Sequence, residues 1–124
     1  MSIQSVLKCL NESTKRLKLF HGTSAENAKS ILETGFILSD SDSATHERTG
    51  YKGKGLYGFI SPEDASNFAL NKGYEEYAVI AFTIPLDVCI EDSEYVVGAY
   101  VVTDVSGIKD MKASWTLKQA NHRD

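Results

Sequence analysis

Hydrophobic and polar positions change period several times along the chain, and each change marks an element. Ile3, Val6, Leu7 and Leu10 recur at helical spacing, so an N-terminal helical segment is predicted within residues 1–16. Leu17-Lys18-Leu19-Phe20-His21 alternates instead and reads as a short strand, ended by Gly22. Thr23-Ser24-Ala25-Glu26 has the form of a capping box, with Thr23 as N-cap and Glu26 reaching back to it. The helix it opens carries Ala28, Ile31 and Leu32 on one face and stops at Gly35, a left-handed C-terminal glycine. Phe36-Ile37-Leu38 is expected to resume as a short strand.

From Ser39 to Lys54 the chain turns polar, with Asp40, Asp42, His46, Glu47, Arg48 and Lys52 and almost nothing to bury. Loops of that length in small domains are lids, binding loops or disordered segments. Leu56 to Ile60 reads as a strand. Ser61-Pro62-Glu63-Asp64 then starts a second helix, with serine as N-cap, proline at the first helical position and acids in the first turn. Ala65, Phe68 and Ala69 form its apolar stripe and Gly73 closes it. The remainder is β-rich, with strands predicted over Tyr77–Ile84, Tyr95–Val102 and Ser114–Leu117, and a flexible tail over 119–124. Strands and helices mix without regular βαβ alternation, which gives an α+β fold with mainly antiparallel pairing.

Length and composition narrow the class. A chain of 124 residues, 42% hydrophobic and 24% charged, is expected to form one domain over 1–124 around one modest core. The net charge of −4 and a pI of about 5.3 provide no global basic field for nucleic acid, and the arginines number three: Arg16, Arg48 and Arg123. Cys9 and Cys89 form no CxxC pair and read as reduced thiols. Met1-Ser2-Ile3 opens neither a signal peptide nor a transit peptide, and no apolar run is long enough to span a bilayer. A cytoplasmic location and no membrane partner are therefore expected. His21, His46 and His122 with the two cysteines lack metal-ligand spacing, so no metal is expected, and the glycines around Lys54 do not form a P-loop.

Three features carry candidate chemistry: His21 before Gly22-Thr23, Tyr57 within Gly55-Leu56-Tyr57-Gly58, and Glu94 before Tyr95-Val96-Val97. Each alone has a plainer explanation. A strand histidine is commonly structural, a strand tyrosine is commonly half-buried packing, and Glu94 beside Glu91 and Asp92 reads as a solvated strand end. Phe68 alone is core.

In order, Leu-Phe-His-Gly-Thr, Gly-Lys-Gly-Leu-Tyr and Ser-Glu-Tyr-Val-Val resemble the His-Tyr-Glu signature of ADP-ribosyltransferases of the poly(ADP-ribose) polymerase and diphtheria-toxin type. The resemblance covers roughly Leu17 to Val97. Ala65-Ser66-Asn67-Phe68 stands where the family has a Ser-Ala-Asn-Tyr-like segment on a helix. The resemblance implies split, mainly antiparallel β-sheets with two or three flanking helices. It also implies a function: cleavage of the nicotinamide–ribose bond of NAD, bound as substrate, and transfer of ADP-ribose to a macromolecular acceptor. The form implied is a minimal single-domain one that transfers single units, as in bacterial, phage and toxin proteins. The acidic balance favours protein over nucleic acid as acceptor.

The same resemblance assigns roles. Tyr57 and Phe68 would wall an aromatic slot for nicotinamide, with Gly55 and Gly58 letting the backbone approach the ring. Gly22 would offer its backbone N–H and C=O to the carboxamide, His21 would bond an adenosine-side ribose hydroxyl, and Thr23 would touch ribose as well as cap the helix. Arg48, Lys52 and Lys54 would face the pyrophosphate. Glu94 would stabilise oxocarbenium charge through the 2′-hydroxyl, with Glu91 its competitor. Ala65 departs from the family serine, and Phe68 keeps the ring without the tyrosine hydroxyl. The chain lacks the Arg-Ser-Glu pattern of the other transferase branch, although Asp92 echoes that branch's acceptor-selecting acid. Three alternatives stand beside transfer: an inactive relative that binds NAD or ADP-ribose, RNA 2′-phosphotransfer, and NAD hydrolysis.

Overall fold

The computed structural model describes residues 15–38 and 55–117. The predicted helix near the N-terminus, the polar loop with Arg48, Lys52 and Lys54, and the tail lie outside the described residues. Within them run β1 (Arg16–Ser24), α1 (Ala25–Thr34), β2 (Leu56–Phe59), α2 (Pro62–Asn71), β3 (Glu76–Pro85), β4 (Cys89–Glu91), β5 (Ala99–Val102) and β6 (Lys109–Leu117), with a 3-10 turn at Leu86–Val88. The strands form one hydrogen-bonded sheet in the order β4-β5-β2-β1-β3-β6, every pair antiparallel. The α+β class holds. The expected split into separate sheets does not, although the join between the halves is narrow: β1 meets β2 at Phe20↔Phe59 alone, against a continuous ladder with β3 from Arg16↔Pro85 to Ser24↔Tyr77.

Alternation along the strands makes two faces, each with its own helix. Leu19, Leu56, Ala78, Ile80, Phe82, Ile84 and Val102 are buried on one face, where Ala28 and Ile31 of α1 cover them together with Phe36. Tyr57, Phe59, Ala99 and Val101 face the other way, against Ala65 and Phe68 of α2. The result is helix, sheet, helix.

Several boundaries differ from the pattern read in the sequence. β1 continues past Gly22 because Thr23 and Ser24 still pair with Ala78 and Tyr77. The N-cap of α1 is therefore Ser24, whose Oγ accepts from the Asn27 amide at 3.1 Å, and Thr23 is not the cap. Phe36 to Leu38 form no strand; Phe36 instead packs its ring on His21 and Phe82, at 5.5 and 5.1 Å between centroids. At α2 the expected cap is present, with Ser61 Oγ accepting from the Glu63 amide at 3.2 Å and Pro62 in the first turn. β4 was not foreseen. β6 begins earlier than expected because Lys109, Asp110 and Lys112 hide an exposed edge strand behind polar residues. Arg16 fastens that edge, its Nη2 donating to the carbonyls of Gly107 (2.6 Å) and Thr83 (3.0 Å). Among the described residues no helix is long and apolar enough to cross a membrane.

Two glycines owe their place to close packing inside the protein. A Cβ on Gly22 would lie 1.9 Å from the Ala65 carbonyl oxygen, so α2 rests directly on β1. At Gly58 a Cβ would meet Leu19 Cδ1 at 3.0 Å, on the face away from the Tyr57 ring. The Gly58 gap thus serves the core and not a bound ring.

Gly22→Ala is predicted to cost about 3 kcal/mol, the upper end for overpacking, because backbone is the obstacle. Gly58→Ala meets a side chain that can turn aside and should cost about 1 kcal/mol. Urea denaturation of the two variants measures the difference.

Candidate functional site

The site begins where β1 and β2 part. Beyond Phe20↔Phe59 the ladder between them stops, and the next side chain on β1 is His21. Its Nδ1 lies 2.8 Å from the Tyr57 carbonyl oxygen. A carbonyl only accepts, so Nδ1 carries the proton and Nε2 is the acceptor of the neutral ring. The imidazole spans the place of the missing rung and is steadied edge-on by Phe36.

Past this point the gap opens into a cleft of about 390 Å³. His21, Gly22 and Thr23 form its floor, Asn27, Ile31 and Phe36 the α1 side, and Phe68, Lys72 and Tyr74 the α2 side. The volume is near the lower end of the range for small-molecule sites, roughly 300–1,000 Å³. Thr23 is buried and its Oγ1 accepts from Asn27 Nδ2 at 3.4 Å, so the threonine hydroxyl is oriented by the helix it precedes. Lys72 is the cation among the described lining residues, and its Nζ stands 5.1 Å over the Phe68 ring.

Tyr57 points to the opposite face from His21. It is buried, and its hydroxyl donates to Asp92 Oδ2 at 2.5 Å. Asp92 is 3% exposed, which makes it the buried acid of the described residues. A carboxylate out of water is tolerated only when hydrogen-bonded, and the Tyr57 hydroxyl provides such a bond. Around the Tyr57 ring lie Phe59, Phe68 and Tyr95, with centroids 6.1, 5.9 and 5.0 Å away.

Here the sequence and the structure diverge. The strand expected from Tyr95 begins at Ala99. Residues 93–98 form a turn in which the Asp92 carbonyl accepts from the amides of Tyr95 (3.1 Å) and Val96 (3.4 Å), and Gly98 takes a φ of 89°. Glu94 is exposed on this turn, outside the cleft lining. The chain spells Tyr-Val-Val twice, at 95–97 and 100–102, and the second copy is the strand. The residue preceding Tyr-Val-Val on that strand is Ala99, fully buried in the cluster that holds Tyr57. Glu91 is exposed on β4. Gly98 between the two copies was the one signal in the sequence that a turn, not a strand, joins them.

Of the expected site residues, the structure brings His21, Gly22, Thr23 and Phe68 to one cleft. Tyr57 is joined to it through its carbonyl, while Glu94 stands apart; Arg48 and Lys52 lie outside the described residues. Ser66 hydrogen-bonds the Tyr77 hydroxyl at 2.7 Å and is likewise outside the cleft lining. No cluster of three metal-ligating side chains occurs among the described residues. The Cys89 thiol is pushed up to about 11 by burial, with Asp87 adding to the rise. No family model, curated protein or solved structure matches the chain.

Two predictions follow from this geometry. Tyr57→Phe and Asp92→Asn should each destabilise the fold by about 1–3 kcal/mol, and the double variant should cost clearly less than their sum, as read by denaturation. In a Cys9→Ser background, Cys89 should remain a neutral thiol at pH 8 and react slowly with maleimide until the protein is unfolded.

Proposed function

We propose that the cleft beside His21 binds the ADP-ribose portion of NAD, and that the chain is a binding module built on an ADP-ribosyltransferase-like scaffold. The observation that carries this reading is the His21–Tyr57 hydrogen bond at the floor of a cleft that Gly22, Thr23 and Phe68 also line. These are residues that the resemblance assigns to the dinucleotide. The Nε2 acceptor suits a ribose hydroxyl, the oriented Thr23 hydroxyl a second one, and the Lys72 ammonium a phosphate.

Binding is favoured over transfer because of where the acids lie. Stabilising an oxocarbenium ion requires a carboxylate at the reacting ribose. Ala99 holds the strand position, and Asp92 is engaged by the Tyr57 hydroxyl.

The second reading is NAD-dependent mono-ADP-ribosyl transfer to a protein acceptor, with Glu94 as the acid, His21 and Tyr57 as its companions, and a cytoplasmic effector role. One observation favours it: Glu94 is next to Tyr95, whose ring touches both Tyr57 and Phe68, so an exposed carboxylate borders the aromatic residues.

Calorimetric titration with ADP-ribose tests the first reading. His21→Ala should weaken binding by about tenfold, the worth of one good hydrogen bond to a ligand. Nicotinamide release from NAD, assayed beside it, should be negligible. Release that falls by about 10²–10³ in Glu94→Gln would instead establish transfer or hydrolysis.

A further inference from the structure

A flat ring held between two aromatic walls needs centroids roughly 7 Å apart, twice the contact distance of about 3.5 Å. Tyr57 and Phe68, the two walls of the expected slot, are 5.9 Å apart and tilted by 57°. They touch each other, and no ring fits between them. The space beside them is filled by Tyr95, at 5.0 Å from Tyr57, 6.3 Å from Phe59 and 6.4 Å from Phe68.

The turn that carries Tyr95 is fastened at both ends. The Asp92 amide donates to the Ala99 carbonyl at 2.8 Å, the Ala99 amide to the Val96 carbonyl at 3.0 Å, and the Ile60 amide to the Gly98 carbonyl at 3.0 Å. At its base the Asp92 carboxylate holds the hydroxyl of Tyr57, a ring on which Tyr95 packs. Backbone bonds therefore fix the turn independently of the Tyr95 side chain. Phe68 is the member of this aromatic cluster that lines the cleft, and it packs on both Tyr57 and Tyr95.

We infer that Tyr95, 39% exposed but packed on Tyr57, Phe59 and Phe68, occupies the aromatic site and sets the choice of ligand. The cleft takes ligands of the ADP-ribose class, which end in a sugar, and disfavours dinucleotides that bring a second planar base. The inference rests on the proposed binding at His21. Its chemistry is competition: a nicotinamide ring must displace an aromatic side chain already in contact with three rings, whereas a terminal ribose has nothing to displace.

The test titrates the full chain with ADP-ribose, NAD and free nicotinamide, for the wild type, Tyr95→Phe and Tyr95→Ala. Wild type and Tyr95→Phe should bind ADP-ribose at least about tenfold more tightly than NAD, the upper range of a stacked aromatic contact, and should not bind nicotinamide. Tyr95→Ala should bring NAD to within about threefold of ADP-ribose and leave the ADP-ribose affinity unchanged. Equal affinity for NAD and ADP-ribose in the wild type would overturn the inference while leaving binding at His21 intact. Binding of neither ligand by any variant would overturn both. Should Tyr95→Ala fail to fold, Tyr95→Leu keeps an apolar contact without a flat ring, and the wild-type ratio decides by itself.

Discussion

The hydrogen bond from His21 Nδ1 to the Tyr57 carbonyl is the clasp on which the rest of the site depends. β1 and β2 share one paired position, and His21 Nδ1 bonds the Tyr57 carbonyl just beyond it. Such a hydrogen bond contributes about 0.5–1.5 kcal/mol, and the imidazole makes it while letting the two strands diverge. Divergence makes the cleft. The same bond fixes which imidazole nitrogen is the acceptor, so a structural constraint and a binding property have one origin.

The Tyr57 side chain acts on the other face. Its hydroxyl serves a buried carboxylate, its ring anchors a cluster of aromatic residues, and its carbonyl reaches His21 across the sheet. A residue tied at both ends cannot move without disturbing the cleft and the turn together. The cleft side and the aromatic side are thereby coupled through β2. In the proposed reading, that coupling is how the turn from Asp92 to Gly98 acts on a ligand it does not line.

Much of the architecture was legible from periodicity. The alternation in Leu17 to His21 and Tyr77 to Ile84 marks β1 and β3, and Ser61-Pro62 announces α2, because each local preference agrees with the fold. The motif order brought out His21 and Phe68, which the structure places on the lining of one cleft. What failed was local ambiguity. Thr23 and Ser24 are both good caps, and the choice fell to pairing with β3, which no local pattern reveals. Asp92 and Glu94 both lie within three residues of a double Tyr-Val-Val, and the register Tyr57↔Val101 decides which copy is the strand. Which copy is the strand decides whether buried Ala99 or exposed Glu94 precedes it, and the strand begins at Ala99. Gly98, one of the two residues between the copies, takes a positive φ that fits a turn there.

The most direct test is an experimental structure of the chain with ADP-ribose bound. The account predicts the adenosine-side ribose against His21, the phosphates toward Lys72, and Tyr95 still in contact with Tyr57 and Phe68. A ligand seated elsewhere on the surface, or one seated with its distal sugar between Tyr57 and Phe68 and Tyr95 turned out, would contradict it.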